Sequence, residues 1–291
     1  MSALEHHLNM RKGETTKSQT SLFFVQKMPF ATVNGHVLHY TDTAPEQGNS
    51  KPPIIMVHGL GSSQNFYMPV VAKLQGYRCV AMDTYGAGRS KSQGEELTLA
   101  QLAENVVGLM DHLHIPKAVI AGHSMGGTMV CTIAAAHPDR VAGIVAIGPV
   151  NPKSVPLQAF QNRIDTVMKD GMEPLANSIP VSATGTRSIP LHRAFIRELL
   201  LSQEPKGYAS HCGAILGMQE PQGGFEAVKC PAVILAGEDD KSAPLEGCQY
   251  IQTHLGGSKK ELKVLKGVGH WHCIEAGDEV AQEIDAFCTS L

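Results

Sequence analysis

Five short apolar runs, and a sixth segment interrupted by one lysine, limit what this chain can fold into. They are Ile54-Ile55-Met56-Val57, Cys79-Val80-Ala81-Met82, Ala118-Val119-Ile120-Ala121, Gly143 to Ile147, Ala232 to Ala236 and Leu262 to Leu265. Runs this short and this apolar suit strands buried on both faces, as in a parallel sheet. The segments between them change period. Thr98 to Leu113 opens on a capping threonine and repeats apolar residues at Leu102, Val106, Leu109 and Leu113, the spacing of one helix face. Gly127 to His137 is small and apolar, fit to pack closely on a sheet, and Val280 to Phe287 reads as a closing helix. Strand and helix in alternation predict an α/β fold with a mostly parallel central sheet flanked by helices. Upstream, Phe30 to Val33 and His36 to Tyr40 flank Asn34-Gly35, a strong hairpin signal.

The alternation breaks between Pro152 and Gln222. That stretch has no β-rich run, and helical segments are expected near Leu157 to Lys169, Glu173 to Ile179, Leu191 to Leu201 and Tyr208 to Met218. Because it lies between two expected sheet strands, it reads as an inserted helical cap. The expected layout is a flexible extension over 1–27, a core made of 28–151 and 223–291, and a cap over 152–222. A chain of 291 residues has room for that arrangement.

Charge narrows the partners. Lysine and arginine total 24 against 27 acids, a formal net charge of -3, which excludes a strongly basic nucleic-acid binder. No apolar run approaches the roughly 18 residues of a membrane span, so the chain is expected to be cytoplasmic and free of the membrane. The 7 cysteines contain no CxxC pair, so neither a disulfide framework nor a zinc site is expected, and no metal or organic cofactor is called for. The final Cys288-Thr289-Ser290-Leu291 has the outline of a prenylation tail, but polar residues stand where aliphatic ones belong. Composition carries no signal for an oligomeric state.

Gly122-His123-Ser124-Met125-Gly126 carries the chemistry. It fits G-x-S-x-G, follows an apolar run and opens a helix. A serine at the apex of such a tight turn stands clear of the sheet, because the flanking glycines present no Cβ. Three other pieces sit at the ends of expected strands, where open α/β sheets place their sites. His58-Gly59-Leu60-Gly61 follows the first central run. Asp239 and Asp240 follow Ala232 to Ala236. His270 and Trp271 follow the last strand.

From Pro29 onward the chain resembles the α/β-hydrolase superfamily. The resembling pieces are HGLGSS at 58–63, DTYGAGRS at 83–90, GHSMGG at 122–127, GEDDKSAP at 237–244 and GVGHW at 267–271. The resemblance implies Ser124 as nucleophile, His270 as general base and acid, and Asp240 as the residue that orients the histidine, with Asp239 in reserve. It also implies an oxyanion hole from the backbone amides of Leu60 and Met125. The cap resembles that of the 3-oxoadipate enol-lactonase-like group in Gly171-Met172, Leu175-Ala176, Arg197, Leu199-Leu200 and Gly207-Tyr208. What this implies is a serine hydrolase cutting a carboxylic ester or lactone of a small molecule. A carbon–carbon bond hydrolase on a diketone-like compound and a slow-turnover ligand sensor are the competing readings.

Other residues have smaller expected parts. Gly59 and Trp271 are candidate substrate contacts. Arg193 and Arg197, at i and i+4, are a candidate clamp for a substrate carboxylate or else a solvated face. Asp83 is expected to hold a turn, His58 to anchor the oxyanion loop, and His123 to be structural. His272 is expected at the surface or in packing, with a place lining the entrance as the alternative. Cys131 and Cys230 are expected to be buried, and Phe160, Met168, Phe195 and Met218 to fill the cap. His6, His7, His112, His114, His137 and His254 are expected to be solvated.

Overall fold

The computed structural model describes residues 29–43 and 51–291. The expected extension over 1–27, with His6 and His7, lies outside the described residues. The chain enters the fold through the hairpin, β1 (Phe30–Val33) and β2 (His36–Thr43). Asn34 and Gly35 between them have φ of 53° and 82°, the two left-handed residues that a type I′ turn demands.

Six further strands follow: β3 (Ile54–Val57), β4 (Cys79–Met82), β5 (Ala118–His123), β6 (Val141–Ile147), β7 (Ala232–Gly237) and β8 (Lys260–Leu265). They join one sheet in the order β1-β2-β4-β3-β5-β6-β7-β8. The β1–β2 and β2–β4 pairs are antiparallel, and every pair from β4 to β8 is parallel. All residues of β3, β4, β5 and β7 are buried, which is why they read as unbroken apolar runs. Edge strand β8 is only partly buried.

Ten α-helices lie among the described residues. Two precede β5: α1 (Met68–Val71) and α2 (Leu99–His112). α3 (Met125–Ala136) joins β5 to β6. Four lie between β6 and β7: α4 (Leu157–Asp170), α5 (Glu173–Ser182), α6 (Pro190–Leu201) and α7 (Pro205–Leu216). The last three are α8 (Leu245–His254), α9 (His272–Glu275) and α10 (Gly277–Thr289). The helices α2 and α3 pack on each other, and α3 lies against β5 and β6. The close fit depends on small residues. A Cβ on Gly127 would come within 2.9 Å of Pro149, and one on Gly143 within 2.7 Å of the Phe287 ring.

The helices between β6 and β7 associate as α4 with α7 and α5 with α6. Ala176, Ile196, Leu200, Cys212 and Ile215 join the same apolar cluster as the sheet. Phe160 and Met218 are buried as expected, whereas Met168 is 53% exposed. Met168 follows Val167 in the same turn of α4, and one step round the helix, about 100°, turns it outward while Val167 faces in. Cys131 is buried but Cys230 only partly so, because it sits in the loop before β7 rather than within it. Cys288 is packed inside α10. His112 and His114 are exposed, His137 bonds Glu104, and His254 stacks on Tyr250 at 4.0 Å.

Helix α2 begins with a full capping box. Thr98 Oγ1 accepts from the Gln101 amide at 3.2 Å, and Gln101 Oε1 accepts from the Thr98 amide at 2.9 Å. A Thr98→Ala variant is expected to lose about 1 kcal/mol of stability. Urea unfolding of the variant beside the parent protein checks this.

Candidate active site

β5 ends in the turn that carries Ser124. The serine has φ 58° and ψ -119°, a left-handed conformation that costs energy for any residue with a Cβ. Two contacts hold it there. The Ser124 amide donates to the Ile147 carbonyl at 2.9 Å, tying the apex to β6. Gly122 and Gly126 let the strand and helix cross, since a Cβ on Gly122 would run into the Gly126 carbonyl and one on Gly126 would reach the Val57 carbonyl at 2.6 Å. The turn is tight because two side chains are missing.

His270 and Asp240 reach the same place from β8 and β7. His270 Nε2 lies 3.0 Å from Ser124 Oγ, and His270 Nδ1 lies 2.8 Å from Asp240 Oδ2. The other oxygen of Asp240 accepts the amides of Ser242 and Ala243 at 2.8 and 2.9 Å. Burial pushes the Asp240 carboxyl up. The His270 side chain, then His272 and the Ala243 amide, pull it further down, so it rests below the ordinary carboxylate value. Asp239 points elsewhere. Its Oδ2 accepts the amide and the hydroxyl of Thr186, both at 2.8 Å, which pins the loop between α5 and α6.

The backbone of His270 is held as firmly as its ring. Its amide donates to the Ala183 carbonyl at 2.8 Å. Its carbonyl lies 2.7 Å from His123 Nε2 and 2.9 Å from His272 Nδ1, so both neighbouring imidazoles donate to it. His123 also stacks on Phe66 at 4.2 Å, the structural part expected of it. His272 has no exposed surface; its ring turns inward against Asp240 and Gly148 rather than lining an entrance.

Glu275 has no sequence signal, yet it organises this loop. Its Oε1 accepts the Trp271 amide at 3.0 Å. Its Oε2 accepts the Gly269 amide at 3.2 Å and the Gly185 amide at 2.7 Å. One buried carboxylate therefore grips both sides of His270 and the α5–α6 loop. Burial raises its pKa despite those three donors. Only the fold brings the Gly185 amide to it.

The loop after β3 closes the other side. A Cβ on Gly59 would lie 2.7 Å from Ser124 Cβ and 2.8 Å from His123 Nδ1, so glycine is needed for the approach. His58 sits within 2.7 Å of the Gly59 carbonyl through Nδ1 and accepts the Thr84 amide at Nε2, at 3.0 Å. Asp83 accepts the amides of Gln64 and Arg89 and pairs with His39 at 2.8 Å, which makes it the organiser of the neighbouring turn.

A cavity of about 340 Å³ opens above Ser124. Leu60, Ser124, His270 and Trp271 form its floor, and Phe160, Ile179, Leu200 and Tyr208 belong to the inserted helices around it. Gly59 and Met125 are not on its wall; Gly59 packs on the serine, and Met125 opens α3. Arg193 and Arg197 are not on it either. Their face of α6 turns toward α5, where Arg193 meets Thr184 and Arg197 meets Asn177 and Glu173, while Ile196 and Leu200 take the inward positions. The arginine on the wall is Arg163 of α4.

Comparison with known proteins gives a consistent picture. A sequence profile described as alpha/beta hydrolase fold matches residues 52–186. The chain is 26% identical over 241 residues to 3-oxoadipate enol-lactonase 2 of Acinetobacter baylyi, covering 78% of this chain and 89% of the relative. It is 26% identical over 281 residues to a non-heme haloperoxidase of Rhodococcus erythropolis, covering 90% of this chain and 100% of the relative. The crystal structure of the enol-lactonase from Burkholderia xenovorans LB400 superposes with a TM-score of 0.81 at 28% identity, over 90% of this chain and 100% of that one.

Four buried imidazoles near the site make the fold sensitive to acid. Burial holds His58, His123, His211 and His272 below the ordinary imidazole value of 6.5, with His211 and His272 at about 4. Between those values and 6.5 the unfolded chain binds more protons than the folded one, so stability rises with pH across that window. The linkage is worth about 3 kcal/mol for a histidine moved that far. The depressed carboxyls of Asp83 and Asp240 act in the same direction only near and below 3.8. The urea midpoint is therefore expected to fall steadily from about pH 7 to about pH 5. A midpoint that stays flat over that range contradicts the burial of these rings.

Proposed function

We propose that this chain, which has the α/β-hydrolase fold, hydrolyses a carboxylic ester or lactone of a small molecule through an acyl-enzyme on Ser124. The observation that carries this reading is the continuous hydrogen-bonded line from Ser124 Oγ through His270 to Asp240, with its serine end open to the cavity. The likeness to two proteins named enol-lactonases is the reason to try lactones first.

Each group has a part. His270 Nε2 removes the Ser124 proton as the oxygen attacks the acyl carbon, then returns it to the leaving oxygen. Asp240 keeps the Nδ1 proton on the far side of the ring and stabilises the imidazolium that forms. The amides of Leu60 and Met125 receive the charge that develops on the carbonyl oxygen. Met125 is suited to this because the first amides of a helix have no partner within it. Loss of one such donor costs about 3–4 kcal/mol of barrier. Water then repeats the sequence to release the acid. Residues 152–222 serve as a cap that shapes the cavity and limits water.

Two experiments test the reading. A fluorophosphonate probe is expected to label Ser124, and Ser124→Ala to lose both label and ester turnover while remaining folded. Folded protein that takes no label overturns the proposal. Asp240→Asn is expected to lower kcat by about 10⁴-fold, and Asp239→Asn to lower it by less than about tenfold. Parallel kcat measurements on one ester decide between them. Turnover below about one per minute on every ester and lactone supplied would favour a ligand sensor instead.

A further inference from the structure

Two residues of the inserted segment hold the His270 loop from outside. The Ala183 carbonyl accepts the His270 amide at 2.8 Å, and the Gly185 amide donates to Glu275 Oε2 at 2.7 Å. The two loops meet glycine to glycine. A Cβ on Gly185 would lie 2.5 Å from the Gly269 nitrogen, and one on Gly269 would lie 2.3 Å from the Gly185 nitrogen. The segment that makes this contact is also cavity wall, because Ile179 and Ala183 line the space above Ser124. Contact with that wall therefore reaches the backbone of His270 through one hydrogen bond.

Glu275 fastens the joint. It is 5% exposed, and its carboxylate spans the amides of Trp271, Gly269 and Gly185. Two of these donors flank His270 in the chain, and the third belongs to the inserted segment. The Glu275 amide donates to the Trp271 carbonyl at 2.9 Å, so the turn from Gly269 to Glu275 closes on itself. Both carboxylate oxygens accept, the pattern of an ionised group. Charge-assisted bonds of this kind are roughly twice as strong as neutral ones. Arg187 and His192 lie near enough to favour the charge. Glu275 is not on the cavity wall, so it acts through His270.

We propose that Glu275 is a positioning residue that fixes His270 relative to Ser124 and ties that placement to the α5–α6 segment, so that an acyl chain packed against Ile179 and Ala183 also steadies the general base. Contacts remote from the bond being cut then raise kcat as well as binding. The tolerance is narrow. A general base works at about 2.6–3.2 Å, and His270 Nε2 stands 3.0 Å from Ser124 Oγ. A misplacement of about 1 Å costs about 10²-fold. This role rests on the reading of Ser124 as nucleophile and His270 as base.

Glu275→Gln tests it, since the amide keeps the shape but sets an N–H group against one of the three donors. Turnover of 4-nitrophenyl butyrate is counted per Ser124 that a fluorophosphonate labels. On that basis kcat is expected to fall by about 10–100-fold, with KM within about threefold of the parent. From 4-nitrophenyl acetate to the butyrate, kcat of the parent is expected to rise by about fivefold or more, and that of the variant by less than about twofold. A lower melting temperature and labelled fraction with unchanged kcat per site is what a purely structural residue gives, and overturns the proposal. So does an acetate-to-butyrate gain that is absent in the parent or equal in the two proteins. Proton NMR gives a readout apart from turnover. The His270 Nδ1–H signal, identified by its loss in His270→Gln, is expected to broaden in Glu275→Gln, and an unchanged signal rejects the positioning role. If Glu275→Gln does not fold, Glu275→Asp, which keeps the charge and draws it back by one methylene, replaces it in every measurement. If Ser124→Ala still cleaves both esters at the parent rate, the nucleophile assignment fails, and the NMR comparison still decides for or against Glu275.

Discussion

The strained turn at Ser124 is the constraint on which the rest depends. A serine at φ 58° is unfavourable by itself, and it persists because the sheet and the following helix allow no other path. Its amide is tied to β6, and the glycines on either side leave space for one main chain to cross another. The consequences extend outward. The loop after β3 must carry Gly59 to pass over the serine, and His58 must be held through Thr84 to keep that loop in place. The location of the cavity follows from the same turn, because the hydroxyl points where the sheet ends.

The groups that face Ser124 are set by a second layer of polar contacts. His270 is gripped at its amide, its carbonyl and both of its ring nitrogens. His123, His272 and Glu275 contribute to this grip directly or through the flanking amides. Such a network keeps the imidazole at one distance from the serine, which the proposed general-base role requires. It has a cost in acid, since the neutral buried rings resist protonation that the unfolded chain accepts. The same loop meets the inserted helices through Ala183 and Gly185, so the geometry of the site and the seating of those helices are linked.

Much of the core was legible from residue type alone. β3 and β4 begin and end where their apolar runs do, because every side chain in them is buried and polar residues mark the exits. β5 extends past its run because Gly122 and His123 pair with Ala146 and Ile147 without being apolar, and β6 starts earlier than its run because Val141 already pairs with Ala118. The expected α2 carries its predicted threonine cap. Helix α8 was not expected: Leu245 to His254 has only a weak apolar stripe, and its burial rests on Cys248 and Ile251. Ser124, Asp240 and His270 were legible because each follows a strand, and strand ends in such a sheet converge on one edge. Arg163 and Glu275 were not. The position of Arg163 on a cavity wall is set by how α4 rotates against α7, and the partners of Glu275 come from two distant loops.

Sequence by itself determined the α/β class, the sheet's strands, the turn that lifts Ser124 and the choice of residues at the strand ends. These follow from local sterics and burial, which act within a few residues. Strand position brought both Asp239 and Asp240 to the site and the resemblance favoured Asp240; tertiary structure shows how the two part, since one carboxylate turns inward to His270 and its neighbour toward Thr186. It decided that His272 is packed inside, and that Arg193 and Arg197 face α5 while Arg163 faces the cavity. Helical spacing tells which residues share a face, but the direction of that face is fixed only when another element packs against it.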